Sequence, residues 1–178
     1  MEYTSVAQLA REAGFAHMAP LDPATIELKT EVRQMCQACH QYEKRWSCPP
    51  GCGELDACRG RIAEYKQGIL VQTVGQLEDD FDAEAMMETE ASHKEHFTAL
   101  RALLAQRGIP VLPLGAGCCT VCKDCTYPDN PCRFPEKCIS SMEAFGMVVT
   151  EVCKANSMPY YHGKNTIAYT SCVLFDRV

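Results

Sequence analysis

The chain has 178 residues, 47% of them hydrophobic and 22% charged, with a formal net charge of -6. That length suffices for one domain burying roughly 70% of the surface of its unfolded form, and the acidic balance, with Lys and Arg scattered rather than clustered, argues against nucleic acid as a partner. The anomaly is 13 cysteines, more than core packing requires and an odd number that fits poorly with a disulfide framework.

No apolar run approaches the ~20 residues needed to cross a bilayer, so no membrane association is expected. The opening residues MEYTSVAQLAREAGF lack the basic start and apolar core of a secretory signal. A reducing, cytoplasmic setting follows as the expectation.

In chain order, Val6, Leu9, Ala10 and Ala13 make an apolar stripe at helical spacing. Residues 4–13 therefore read as a helix, with Ser5 and Gln8 in capping-box arrangement and Gly14 as its end. Residues 19–29 carry conflicting signals: Asp22-Pro23 opens like a helix, while Thr25-Ile26-Glu27-Leu28 alternates like a strand. Thr30 then offers an N-cap for a single turn through Met35.

The next stretch, CQACHQYEKRWSCPPGCGELDAC, holds Cys36, Cys39, Cys48, Cys52 and Cys58. Pro49, Pro50, Gly51 and Gly53 forbid regular helix or central strand, so something outside the backbone ladder must fix this loop. Metal ligation would do so. Cys36, Cys39 and Cys48 supply three ligands, and either Cys52 or Cys58 a fourth. The bland alternative is buried free thiols packing as small hydrophobes, which five cysteines in 23 residues make weak. His40 could be a ligand in a zinc site, although a lone histidine beside such a pair is more often a hydrogen-bonding neighbour, and Tyr42 and Trp46 would cover the site from water.

Residues 56–67 can form a helix closed by Gly68, and 68–74 follow as a nearly all-apolar, buried strand. The acidic run QLEDDFD lacks the spaced ligands of a calcium loop and serves as the lead-in to the longest helix, 83–107, capped by Asp82 and stopped by Gly108. Met86, His93, Phe97, Leu100 and Leu104 share one face of it, so His93 and His96 read as structural. A second buried strand, 109–114, runs into Gly115.

From Gly115 to Cys138 the chain reads GAGCCTVCKDCTYPDNPCRFPEKC, with six cysteines. Cys119, Cys122 and Cys125 follow C-x2-C-x2-C spacing, with Cys132 beyond them. Three sulfurs two residues apart can each take one corner of a small inorganic cube, as in bacterial ferredoxins, which makes an iron-sulfur cluster the first hypothesis. Zinc is the competitor, although tetrahedral zinc is more often held by two separated C-x2-C pairs. The glycines place this loop at the end of a strand, where freed backbone N–H groups can face sulfur or an anion. Arg133 follows Cys132 directly and is the candidate cofactor-binding residue, donating to cluster sulfur or holding an anion. Its ordinary alternative is a surface ion pair.

Further on, Ser140 and Glu143 again have capping-box form, Phe145-Gly146 marks a break, and 148–155 reads as a short helix. Residues 158–162, a GKN turn and 166–175 read as a terminal hairpin. The expected fold is α/β (or α+β). It is a single layered metal-binding domain over 1–178, with about four to five strands, flanking helices and two cysteine-rich loops at 36–58 and 115–138. Tyr127, Tyr160, Tyr161 and His162 are candidate pocket lining by nearness in sequence alone. Phosphate loops, dinucleotide glycine motifs and hydrolase nucleophile arrangements are absent.

Taken together, VRQMCQACHQYEKRWSCPP, EYKQGILVQTV, GAGCCTVCKDCTYPDNPCRFPEK, SMEAFGMVV and the closing segment, in that order from about Val32 onward, resemble the DUF2284 family of predicted metal-binding proteins. The resemblance implies metal, iron-sulfur before zinc, because members occur widely in anaerobic bacteria and archaea, where oxygen-sensitive clusters survive. It implies one thiol set of Cys36, Cys39 and Cys48 with a later cysteine, for which Cys58 is taken, and a second of Cys119, Cys122, Cys125 and Cys132. Cys52, Cys118 and Cys138 look additional to that pattern, and Cys153 and Cys172 lie outside both loops. The expected function is a cytoplasmic protein with two 4Fe-4S clusters, for low-potential electron transfer or cluster-based small-molecule or sulfur chemistry. Its partner would be a redox protein or a small-molecule substrate. The alternatives are a zinc-binding structural or interaction module, or a metal or sulfur carrier for a partner enzyme. No reaction is specified, and whether the chain is an enzyme stays open.

Overall fold

Strands β2 (Tyr65–Gln76) and β4 (Thr166–Arg177) form the spine of the molecule, paired antiparallel from Tyr65↔Arg177 to Gln76↔Thr166 in a computed structural model that describes residues 2–177. Side chains alternate across a strand, and here both faces are apolar. Leu70, Cys172 and Leu174 enter one core with Phe145, Met147 and Cys153. Ile69, Val71, Val173 and Phe175 enter another with Leu9, Phe97, Leu100 and Leu104. This two-sided burial is why the strand reads as a continuous hydrophobic run rather than an alternating one.

Strand β1 (His17–Leu21) and the short β3 (Leu112–Leu114) flank the spine, giving the order β1-β2-β4-β3 with every pairing antiparallel. One face carries the helices α1 (Tyr3–Glu12) and α4 (Ala83–Gln106). The other carries α3 (Leu55–Ala63), α5 (Val149–Ala155) and a 3-10 turn at Glu143–Phe145. Helix α2 (Thr30–Cys36) leads into the first cysteine loop. The fold is α+β, with five α-helices and one four-stranded sheet among the described residues, which resolves the two classes left open by the sequence.

Several local expectations hold. Gly14, at φ +107, ends α1, the Asp82 side chain accepts from the Ala85 amide at 3.1 Å to start α4, and His93, Phe97, Leu100 and Leu104 are its buried face. Others are corrected. Helix α1 begins before Ser5, which lies inside it without capping. Helix α3 stops at Ala63, and Gly68 belongs to β2 rather than ending a helix. In 19–29 the strand signal at Thr25-Ile26-Glu27-Leu28 is not met, since β1 ends at Leu21 and Leu28 makes only an isolated bridge to Met147, while the Asp22-Pro23 signal opens a 3-10 turn at Pro23–Thr25, Asp22 accepting from the Ala24 amide at 2.9 Å. The prolines keep β3 to three residues at the sheet edge, the position proline tolerates because no ladder donor is needed there. Ser141, not Ser140, caps the later turn, accepting from Ala144 at 3.0 Å. No terminal hairpin forms: 158–162 is not a strand, and β4 pairs with β2 and β3 instead.

Candidate metal centre

Strand β3 delivers the second cysteine loop. The Gly115 amide donates to Ser140 O at 2.9 Å and the Met142 amide to Gly115 O at 3.1 Å, so the loop leaves and rejoins the fold at one point, a parallel bridge between Gly115 and Ser141. A loop with pinned ends can hold side chains inward without strands of its own. The first cysteine loop joins α2 to α3 and packs against the second. Arg45 Nη1 donates to Cys119 O at 3.0 Å, Ser47 Oγ accepts from the Cys119 amide at 3.1 Å, and Trp46 Nε1 donates to Asn130 O at 3.1 Å. The rings of Trp46 and Tyr127 meet edge to face with centroids 4.9 Å apart. Close approach requires glycine at 51: a Cβ there would stand 2.8 Å from Arg45 O and 3.0 Å from the Tyr127 ring.

Between the loops lies a small pocket of about 20 Å3 whose wall includes Cys119, Cys122, Cys125, Cys132 and Cys138, with Arg45 and Arg133 beside them. All four second-loop cysteines expected from the spacing are here. Cys138, which looked additional, joins them. Its thiol touches that of Cys119, and its own pKa is pushed up by this contact and by burial. Cys119 is held well below the ordinary thiol value, at about 5. The Cys138 thiol lowers it most, against burial, and the amides of Val121 and Ile139 and the charge of Arg45 add to the effect. Backbone N–H groups aimed at a thiolate are the surroundings that a metal-bound sulfur needs. Arg133 is exposed and donates to Asp124 O at 2.8 Å, bracing the loop from within.

The first-loop cysteines divide. Burial pushes the Cys48 thiol up, the Ser47 hydroxyl offsets this, and the nearby thiols of Cys118, Cys39 and Cys36 raise it further, Cys118 the most. Cys36 is likewise raised by burial, with Cys39 among its neighbours. Cys36, Cys39 and Cys48 thus share one neighbourhood, and Cys118 from the second loop enters it. The consecutive pair Cys118-Cys119 lies at the seam, Cys119 in contact with Cys138 and Cys118 near enough to act on Cys48. The doublet is the sequence signal that could have found this.

Cys58 and Cys52 face each other instead. The Cys58 thiol is lowered to about 7, first by Cys52 and also by Arg33, against burial. Arg33 Nη1 lies 3.8 Å from its sulfur and also donates to Ala144 O at 2.9 Å, while Nη2 donates to Gly53 O at 2.8 Å. Cys153 and Cys172 are fully buried in the core beneath the sheet. His40 is exposed. Tyr160, Tyr161 and His162 are not in the wall of the thiol pocket; His162 Nε2 bonds Gln72 Oε1 at 2.6 Å in a separate cavity.

Among the described residues no three His, Cys, Asp or Glu side chains stand in assembled metal-holding geometry. The donor chemistry is nonetheless selective. The pocket wall holds thiols and no carboxylate or imidazole, which suits zinc or iron-sulfur and not calcium or magnesium. A family model described as predicted metal-binding protein (DUF2284) matches residues 19–175. No curated protein and no solved structure matches the chain.

Proposed function

The chain belongs to the DUF2284 family of predicted metal-binding proteins, and from that premise we propose that its two thiol neighbourhoods hold two 4Fe-4S clusters in a cytoplasmic protein. The observation that carries the reading is the gathering of Cys119, Cys122, Cys125 and Cys132, with Cys138, in one pocket wall that holds no carboxylate or imidazole. In the other neighbourhood Cys36, Cys39 and Cys48 take three positions. Cys118 is the fourth ligand favoured by its effect on Cys48, ahead of Cys58, which is engaged with Cys52 and Arg33. Arg45 and Arg133 bring guanidinium groups to the second site, where positive charge offsets a thiolate set.

A cluster with cysteine on every iron transfers electrons, and one with an open iron adds Lewis-acid or sulfur chemistry. Because Cys118 and Cys119 are adjacent in the chain, the two centres would be neighbours, an arrangement suited to passing electrons to a redox partner protein or to a small-molecule substrate. None of the 13 cysteines is joined in a disulfide, in keeping with a reducing compartment, and no helix among the described residues is long and apolar enough to cross a membrane.

Anaerobic purification followed by iron, sulfide and zinc analysis with an absorption spectrum tests this. About eight irons with matching sulfide are expected, and Cys122→Ser should remove roughly half of them. Cys118→Ser should lower the iron content where Cys58→Ser does not. A colourless protein with one or two zinc ions and no sulfide would replace the reading with a zinc-binding module.

A further inference from the structure

A second cavity, of about 290 Å3, lies between α4 and the start of the second cysteine loop. Helix α4 presents His93, Phe97 and Arg101 to it from successive turns, β4 contributes Ser171, and the returning limb of the loop contributes Lys137 and Ile139. Cys119 and Val121 belong both to this wall and to that of the thiol pocket, so the two spaces are back to back across one backbone segment.

The lining is mostly apolar with a few placed polar groups, the usual character of a small-molecule site. At the floor a closed polar chain is satisfied without charge. His93 Nε2 lies 2.7 Å from Ser171 Oγ, and Nδ1 lies 3.0 Å from Thr73 Oγ1. The rim carries three cations. Lys94 is paired with Glu90 at 2.6 Å. Arg101 is half-buried and uses one guanidinium N–H on Glu136 O at 2.6 Å, out of the five that an arginine fork has. The Lys137 ammonium rests 5.4 Å from the Phe134 ring centroid. Arg101 and Lys137 form no ion pair among the described residues, and none of the described residues in the wall is a carboxylate, although the Glu136 charge acts on Arg101 from outside it. In a chain of net charge -6, two unpaired cations over an apolar cavity are a local reversal of sign.

We propose that this cavity binds a small organic anion, its apolar body against Phe97, Val121 and Ile139 and its carboxylate or phosphate group on Arg101 and Lys137, beside the Cys119 segment. Binding rests on the cavity alone. That the bound anion is the substrate of the adjacent centre rests on the iron-sulfur reading.

Isothermal titration of metal-loaded protein under anaerobic conditions, and of protein stripped of metal, tests the site with hexanoate, hexyl phosphate and neutral hexanol. At least one anion should saturate at one per chain, and which one identifies the head group. Its affinity should fall about tenfold or more in Lys137→Gln and in Arg101→Gln, and hexanol should bind at least that much more weakly. Lys137 is exposed, so its variant stays informative even if loss of Arg101 disturbs the loop. Absence of binding by both anions, equal binding of hexanol, or affinity unchanged in Lys137→Gln overturns the proposal. Metal present with no anion bound sinks this inference alone; anion bound by protein that holds no iron or sulfide when first purified anaerobically sinks the iron-sulfur reading alone.

Discussion

His93 is 1% exposed, and burial holds its imidazole at about 4, below the ordinary 6.5, with His96 and Lys94 adding to the effect. An unfolded chain takes up that proton below about pH 6.5 and the folded one does not until about pH 4, so the contribution to stability is whole above 6.5 and declines between those values. The decline is on the order of 3 kcal/mol. Urea unfolding from pH 7 to pH 4.5 should show a shallower fall for His93→Gln than for the native chain; parallel curves would assign the acid sensitivity elsewhere. Cys153 and Cys172 have the opposite character to the loop thiols, for burial pushes Cys153 up to about 11 and leaves it inert. Cys153→Ala is expected to lower stability by on the order of 1–2 kcal/mol while metal content by elemental analysis stays unchanged. At this scale spacing singled out Cys119, Cys122, Cys125 and Cys132, which the fold gathers in one pocket wall. It did not mark Cys138 or Cys118, because the first is returned to the pocket by the Gly115–Ser141 bridge and the second crosses to the other loop, neither of which is a local property.

At the scale of elements, long periodic segments were legible and boundaries set by tertiary pairing were not. Helix α4 carried its own stripe, cap and stop. Residues 158–175 alternated enough to suggest a hairpin, but β4 takes its register from β2, so the local partner was never used. The two cysteine loops depend on each other in the same way. A methyl group at position 51 would meet the Arg45 carbonyl and the Tyr127 ring, and Gly51→Ala should force the loops apart at about 1–3 kcal/mol. The expected result is reduced metal per chain with an unchanged far-UV circular dichroism spectrum; full metal content would mean the seam is not needed to hold it.

Taken whole, the molecule keeps its cores and most of its loop thiols apart. Cys36, Cys39, Cys118, Cys119, Cys122, Cys125 and Cys132 belong to neither hydrophobic cluster, and the sheet is covered on both faces without them. Stripping the metal by chelation should therefore leave helix and strand content in place and expose 37–54 and 116–140 to limited proteolysis; global unfolding on chelation would contradict that separation. The composition pointed to this division early, since a chain of ordinary length with an ordinary share of apolar residues had no need of metal to fold. What composition did not convey is where the halves of the site meet. That seam holds the chain's single tryptophan, Trp46, edge-on to Tyr127 and lining the thiol pocket. All indole emission from this protein thus originates at the join, so its wavelength reports whether the loops are closed, and its quenching reports whether a coloured centre sits between them.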